Sequence, residues 1–427
     1  MLHRLEYGPD RYTEISLSIG PQAMRLKPIE SLSPVAAVSL SPWPLRVLIL
    51  TADLPPANWS GIGIAVENEA RALAKLGHTV TVLAADLGGP GRGIWVPQVS
   101  ILRPGSEAPT KPDWEGITVQ GLPRDRFPQD VGRFDRIHLH ALALAALGLE
   151  AARRWTVPLL YTAHMLLRTE LPPDSDERIG ARAGAWMELQ HTVFDKADHV
   201  RFLNQAEREM AISLCPGLRT RSSVLAHGLE PAVEPPVPAE EREPLIVFSG
   251  RFCRNKGVDI AAESIELALA RLPGWTGLIA GGHGDPDCTR LVESIAARSE
   301  GRIRTPGWLA HDELQRVVAH AGLVVVPSRY EPFGLAALEA MRQGTAVLAS
   351  DTGGLSEILR PDLGLLMSPS AGPADWAEAI VALAADLPLR QRLAARGPAT
   401  VQQHFNARTQ AEALVRLLPP GTNSRAA

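Results

Sequence analysis

The chain has 427 residues, 45% hydrophobic and 21% charged, a globular composition long enough for two or three domains. A formal net charge of −4 excludes a general electrostatic pull toward nucleic acid or an anionic membrane. Three cysteines, Cys215, Cys253 and Cys288, exclude a disulfide framework and show no metal spacing, which predicts a reduced, cytoplasmic setting.

Residues 1–44 mix charges and prolines and hold no apolar core of signal-peptide length. They read either as a loosely ordered extension or as sequence upstream of a start near Met24. No apolar run anywhere reaches membrane-spanning length, so no integral membrane segment is expected.

The pattern changes at Leu45. "LRVLIL" is a short continuous apolar run, as a buried parallel strand requires. "IAVENEARALAKLG" (64–77) has helical spacing and ends on Gly77, a C-cap residue. The strand "HTVTVLAAD" follows, and "ITVQGL" (117–122) reads as an exposed antiparallel piece. "RIHLHA" (136–141), "VPLLYTAH" (157–164), "DHVRFLN" (198–204) and "RSSVLAH" (221–227) are further strands with helical segments between most of them. Such alternation predicts a doubly wound, Rossmann-like α/β domain over 45–228.

Residues 229–244, "LEPAVEPPVPAEEREP", are dominated by proline and glutamate and read as a stiffened linker. The alternation restarts at "LIVFSG" (245–250), then helix 258–272, strand "WTGLIAGG" (275–282), helix 290–299 and strand "IRTPGW". Helix "HDELQRVVAHAG", strand "LVVVPS" (323–328), helix 335–344, strand "TAVLAS" and "LGLLMSP" complete a second α/β domain over 245–404. Residues 374–417 read as helical to the end.

Ligands of parallel sheets bind outside the carboxyl ends of the strands. The unusual polar residues of this chain fall there: Gly61 and Gly63 after the first strand, His140 and His164 after later ones, Arg251 and Lys256 after "LIVFSG", His283 after "LIAGG", and Glu331 after "LVVVPS". Two such edges facing each other form one cleft.

In "SRYEPFGLAALEAMRQG" (328–344), Pro332 and Gly334 keep Glu331 out of a helix interior, so the helix starts near Gly334. The free amides of Phe333, Gly334 and Leu335 and the positive dipole end then form an anion site. Glu331 lies beside it and Glu339 about one turn deeper, suited to a sugar hydroxyl and a ribose. The alternative makes Glu331 an N-cap and Glu339 a solvated helix residue. Arg251 grips phosphate bidentately and Lys256 acts as a point charge, so together they suit a leaving diphosphate. The plainer alternative is that both are ordinary surface residues.

Gly61 and Gly63 fail as a dinucleotide fingerprint, because Val66 stands at the third glycine. A loop closing on a phosphate or an acceptor remains, as does a simple turn. His138 and His140 alternate on one strand and share a face, but no third ligand lies nearby in sequence, so no metal is expected. His138 reads as structural, whereas His164 ends a strand at the binding edge and suits a base or hydrogen-bond partner. "DSD" (174–176) and "DPD" (285–287) read as solvated acidic turns.

"SGRFCRNKG", "AGGHG" and "PSRYEPFGLAALEAMRQGTAVLASDTGGLSEIL" resemble the retaining glycosyltransferases of family 4, with the GT-B fold. The likeness runs from about Leu45 to about Leu418 and is strongest in the second half. It implies two Rossmann-like domains facing across a cleft, with the final helix (405–427) returning to the first. It implies that Glu331, Phe333, Gly334 and Leu335 serve the donor sugar and phosphate, Glu339 the ribose, and Arg251 and Lys256, beside Gly250, the diphosphate. The base would slot near "PGWL" (306–309), which includes Trp308 and Leu309, and Gly282 is a further donor-binding residue. His164 matches the family's active-site histidine, and the Gly61–Gly63 loop matches the one closing over the phosphates. His138, His140 and His164 are the acceptor-side candidates.

The implied reaction moves a hexose-type sugar from a UDP-, GDP- or ADP-sugar to a small soluble hydroxyl acceptor. It needs no divalent metal or other cofactor, no nucleic acid partner, and works as monomer or homodimer. Two departures stand out: His227-Gly228 where Asn-Gly is frequent, and Asn204 where serine is common. Other readings are a glycolipid or polysaccharide acceptor, a sugar-nucleotide epimerase or hydrolase, and a non-catalytic donor-binding partner. A hydrolase needs two carboxyls flanking the scissile bond and has no use for the Arg251–Lys256 pair.

Overall fold

A computed structural model describes residues 44–54, 61–84, 117–121, 133–167, 177–232, 234–282, 284–359 and 363–417. The expected extension up to residue 43, the "DSD" turn, His283 and the loop before Gly61 lie outside them.

The first domain is one parallel sheet of seven strands: β1 (Arg46–Thr51), β2 (Thr79–Ala84), β3 (Ile117–Gly121), β4 (Arg136–Leu139), β5 (Leu159–Ala163), β6 (His199–Phe202) and β7 (Ser222–Val224). Its order is β3-β2-β1-β4-β5-β6-β7. Strand β3 pairs with β2 in parallel, Ile117 opposite Val80, which corrects the antiparallel expectation for this segment. Helices α1 (Gly61–Lys75), α2 (Ala145–Trp155), α3 (Glu177–Lys196) and α4 (Gln205–Leu214) make the crossovers.

The second domain repeats the plan with β8 (Glu243–Arg251), β9 (Thr276–Gly282), β10 (Ile303–Gly307), β11 (Ala321–Val326), β12 (Ala346–Ser350) and β13 (Leu365–Met367), ordered β10-β9-β8-β11-β12-β13. Helices α5 (Val258–Leu269), α6 (Pro286–Arg298), α7 (His311–His320), α8 (Leu335–Arg342), α9 (Gly353–Ile358), α10 (Pro373–Ala385) and α11 (Leu387–His404) belong to this half. Strand β8 is apolar over 245–248 because both faces are covered: Ile246 and Phe248 face one core, Leu245 and Val247 the other. Strand β8 starts at Glu243, so the linker ends two residues earlier than expected. Arg242 fastens it to the second domain by donating to the carbonyls of Val237 (3.0 Å), Ala319 (2.7 Å) and Gln343 (2.7 Å).

In both sheets the strand order reverses beside the first strand, between β1 and β4 and between β8 and β11. A crevice opens at such a switch point, outside the strands' carboxyl ends. The last helix, α12 (Ala407–Leu417), returns to the first domain. Its Ala411 and Leu414 join Val47, Val66 and Leu73 in one core. The crossing is pinned by Leu229, whose amide donates to the Phe405 carbonyl (2.7 Å) and whose carbonyl accepts from Ala407 (3.0 Å).

Candidate active site

Four segments meet at the two switch points: the N-terminus of α1, the ends of β4 and β5, the chain after β8, and the β11–α8 loop. The second domain supplies the cations. Arg251 closes β8 and is half-buried; its carbonyl accepts from the Cys253 amide at 2.9 Å, and its guanidinium makes no hydrogen bond or ion pair among the described residues. Lys256 ends a single 3₁₀ turn, Arg254–Lys256, and its Nζ lies 2.8 Å from Glu331 Oε2. Ser328 donates to the same oxygen at 3.3 Å. That turn can pack so close only through Gly257, at φ 67°, where a Cβ would stand 1.8 Å from the Pro327 carbonyl oxygen.

The β11–α8 loop places Glu331 through its break in regular structure. Its carbonyl accepts from Gly354 at 2.9 Å, and Gly334, at φ 106°, turns the chain into α8. The amides of Phe333, Gly334 and Leu335 have no acceptor among the described residues, so they stand open at the positive end of α8. Glu339 lies within α8, 4.0 Å from His311 Nε2. Gly282 ends β9 under Trp308, whose Nε1 would be 3.3 Å from a Cβ there. Trp308 is 41% exposed, while Leu309 packs onto the core.

From the first domain, Gly61 and Gly63 form the first turn of α1 rather than a loop. Gly61 faces Leu335, whose Cδ1 would be 3.5 Å from a Cβ there. Two helix N-termini thus meet across the crevice. The domains are also hydrogen-bonded there: Asn204 Nδ2 donates to the Pro332 carbonyl (2.7 Å), Tyr330 donates its hydroxyl to Glu207, and the Gln205 amide donates to Glu357 Oε1 (2.7 Å).

Behind His164 lies a buried polar network that sequence reasoning missed. Glu69 of α1 places Oε1 2.5 Å from His138 Nδ1 and 3.2 Å from His140 Nε2, and Oε2 2.8 Å from Arg201. His140 Nδ1 reaches His164 Nε2 at 2.9 Å, and His138 Nε2 reaches Thr162 Oγ1 at 2.7 Å. His164 stacks on His227, which meets Phe333 edge-on, ring centroids 5.1 Å apart in each pair. The network therefore ends on the donor loop. Burial pushes His138 down to about 4 and His164 and His227 well below the usual imidazole range. Burial works to raise Glu69, but His138 and His140 outweigh it and hold the carboxyl well below its usual range.

These distances correct two expectations. His138 and His140 are only 2% and 3% exposed, so neither ring can touch an acceptor. A third group of metal-ligating type, Glu69, does sit beside them, all three ligand atoms lying within 4.8 Å of one another. It was invisible because it is 71 residues away from His140 in sequence. The "DPD" segment is the solvated turn expected, with Asp287 exposed, and Asp285 in addition caps α6 by accepting from the Asp287 amide at 2.8 Å. The clue to Glu69 was a carboxylate at a core-facing position of an amphipathic helix, which demands a partner.

The first domain matches the glycosyl transferase 4-like domain over residues 60–219, and the second matches the glycosyl transferases group 1 model over 243–386. A D-inositol 3-phosphate glycosyltransferase from Xylanimonas cellulosilytica is 28% identical, over 90% of this chain and 98% of that protein. Sucrose-phosphate synthase from Thermosynechococcus elongatus superposes with a TM-score of 0.66 at 24% identity, covering 87% of this chain and 98% of that one. HepE from Anabaena, solved in complex with UDP-glucose, gives 0.66 at 18% identity, covering 88% of this chain and all of that one. With one matched model on each Rossmann-like half, in this order and on this fold, the chain belongs to the group 1, family-4-like glycosyltransferases with the GT-B fold.

Proposed function

We propose that the protein transfers a hexose-type sugar from a nucleoside-diphosphate sugar to a hydroxyl of a small soluble acceptor, with retention of configuration and without a divalent metal. The observation that carries this reading is the meeting of Lys256 and the open amides of α8 at the carboxylate of Glu331, with Arg251 at the end of the strand β8 that pairs with β11. The cations and the helix end suit a departing diphosphate, whose charge they would neutralise in a water-poor site. Lys256, held by Glu331, is poised to exchange that carboxylate for the diphosphate, freeing Glu331 for sugar hydroxyls. The acceptor oxygen would attack the anomeric carbon on the face that the diphosphate leaves, its proton passing to a phosphate oxygen. Glu339 suits the ribose and the Trp308 face suits the base.

A UDP-sugar is the first donor to try, because HepE was solved with UDP-glucose. Inositol 3-phosphate is the first acceptor, because relatives bear that substrate in their names. A thermal-shift screen of UDP, GDP and ADP, followed by turnover of the matching sugar nucleotides, tests the reading. Stabilisation by one nucleoside diphosphate and acceptor-dependent release of it are expected. Release of free sugar without any acceptor would overturn it.

A further inference from the structure

The buried network behind His164 favours one proton arrangement, set by its strongest acceptor, the Glu69 carboxylate. Arg201 already neutralises Glu69, so a second positive charge in this buried cluster would lack a partner. The charge count therefore makes the imidazoles neutral, each with one N–H and one bare nitrogen. An ionised Glu69 only accepts, so His138 Nδ1 at 2.5 Å carries its hydrogen; His140 Nε2 lies 3.2 Å from both Oε1 and His138 Nδ1, and the carboxylate, the stronger acceptor, takes its hydrogen. His138 Nε2 is then bare and accepts from the Thr162 hydroxyl. His140 Nδ1 is bare as well, so the hydrogen in its 2.9 Å contact with His164 belongs to His164 Nε2. That leaves His164 Nδ1 without a hydrogen. It has no partner among the described residues, and its ring stands one stacked histidine away from Phe333 of the donor loop.

We propose that Glu69, acting through His140, is a positioning residue that fixes His164 as its Nε2–H tautomer and so presents Nδ1 as an acceptor for a hydroxyl of the bound sugar. The inference rests on the donor-site reading above, but its first half concerns only the protein. A metal ion at the same place would demand the opposite arrangement. To ligate through Glu69 Oε1, His138 Nδ1 and His140 Nε2, both nitrogens must be bare, and His140 would then donate to His164. The two arrangements are exclusive and separable by measurement.

Replacing Glu69 by glutamine reverses the relay for a geometric reason. Arg201 needs an oxygen at Oε2, so the single oxygen of the amide faces Arg201 and the NH₂ group faces the two histidines. With the amide N–H facing it, His140 offers a bare Nε2 and carries its hydrogen on Nδ1, whereas donation from Nε2 to His138 Nδ1, 3.2 Å away, would set two N–H groups against each other. His164 Nε2 becomes the acceptor, and its Nδ1 turns from acceptor to donor.

The test is long-range ¹H–¹⁵N NMR of the full-length, ¹⁵N-histidine-labelled protein, with His164 assigned through His164→Gln. The wild type is expected to show His164 with Nε2 protonated and Nδ1 bare, and Glu69→Gln to show the reverse. Thr162→Val, on the other branch, is expected to leave the His164 tautomer unchanged. In turnover, Glu69→Gln is expected to lose about tenfold in kcat with the donor KM changed less than about twofold, the value of one hydrogen bond to the reacting sugar. An Nδ1–H tautomer of His164 in the wild type, or stoichiometric bound zinc, would overturn the proposal, and the wild-type spectrum decides even if Glu69→Gln fails to fold. An unchanged tautomer in a folded Glu69→Gln would reduce Glu69 to a packing role. Failure of the wild type to turn over any sugar nucleotide would instead strike the proposed activity and leave the NMR result standing by itself.

Discussion

Asn204 works in two directions at once: its Oδ1 accepts the Glu207 amide at 2.8 Å, capping α4, while its Nδ2 donates across the crevice to the Pro332 carbonyl at 2.7 Å. Serine, common at this position in the family the chain resembles, can cap a helix but is too short to span the domains. The bond ties the first domain directly to the residue after Glu331. Asn204→Ser is therefore expected to keep its melting temperature within about two degrees while kcat/KM falls about three- to tenfold, the worth of one hydrogen bond. Asn204→Ala should lose the cap as well, at about 1 kcal/mol of stability. Melting curves and steady-state kinetics on both variants check this, and equal kcat/KM in wild type and Asn204→Ser would show that the bond does not position the loop.

Arg251 and Lys256 should respond differently to truncation even though both are proposed to hold the diphosphate. Arg251 makes no ion pair among the described residues, so Arg251→Ala is expected to unfold within about 0.5 kcal/mol of the wild type. Its loss of a diphosphate contact should cost at least about a hundredfold in kcat. Lys256→Ala should lose comparable activity, but it also strips the ion-pair partner from the largely buried Glu331. That variant is expected to be measurably less stable. Urea unfolding with parallel turnover assays separates the two, and near-normal turnover by Arg251→Ala would count against the diphosphate site.

Gly257 sets the distance between the two site-bearing segments. A methyl group there would meet the Pro327 carbonyl oxygen at 1.8 Å, and the backbone sits at φ 67°. Gly257→Ala combines left-handed strain with a backbone clash, at about 3 kcal/mol. Because the 254–257 turn carries Lys256, the same change should push that ammonium away from Glu331. A loss of both stability and activity is expected; an active, fully stable variant would mean that the turn is free to move.

What was legible in the sequence was everything carried by local punctuation. Pro332 and Gly334 mark the start of α8, and the apolar runs ending at Gly250 and Val326 mark the strand ends where Arg251 and Glu331 fall. The direction of β3 was not legible, because a five-residue strand has the same alternation either way and its pairing is decided by the crossover that delivers it. Nor was the His–Glu–Arg network, since Glu69 and Arg201 are 132 residues apart and meet only when α1 docks on the sheet. The link from Phe405 back to Leu229 likewise depends on the crossing chain, not on either segment's own pattern.

That network makes the stability of the first domain depend on pH in a particular direction. His138 is pushed down to about 4, and His164 and His227 well below 6.5, chiefly by burial. For a base whose folded pKa is depressed, the unfolded chain binds the extra proton first, so stability is complete above about 6.5 and falls as pH drops below it. Glu69, held well below the usual carboxylate range by His138 and His140, stays ionised and adds nothing in this window. Each of the three rings contributes about 1.4 kcal/mol per pH unit below its unfolded value, so on the order of 4 kcal/mol should disappear between pH 7.5 and 5.5. Urea unfolding at those two values, with the m-value held constant, measures it. His138→Asn, which keeps a polar side chain but cannot take the proton, should remove about a third of the difference, and an unchanged pH slope in that variant would exclude His138 as a source.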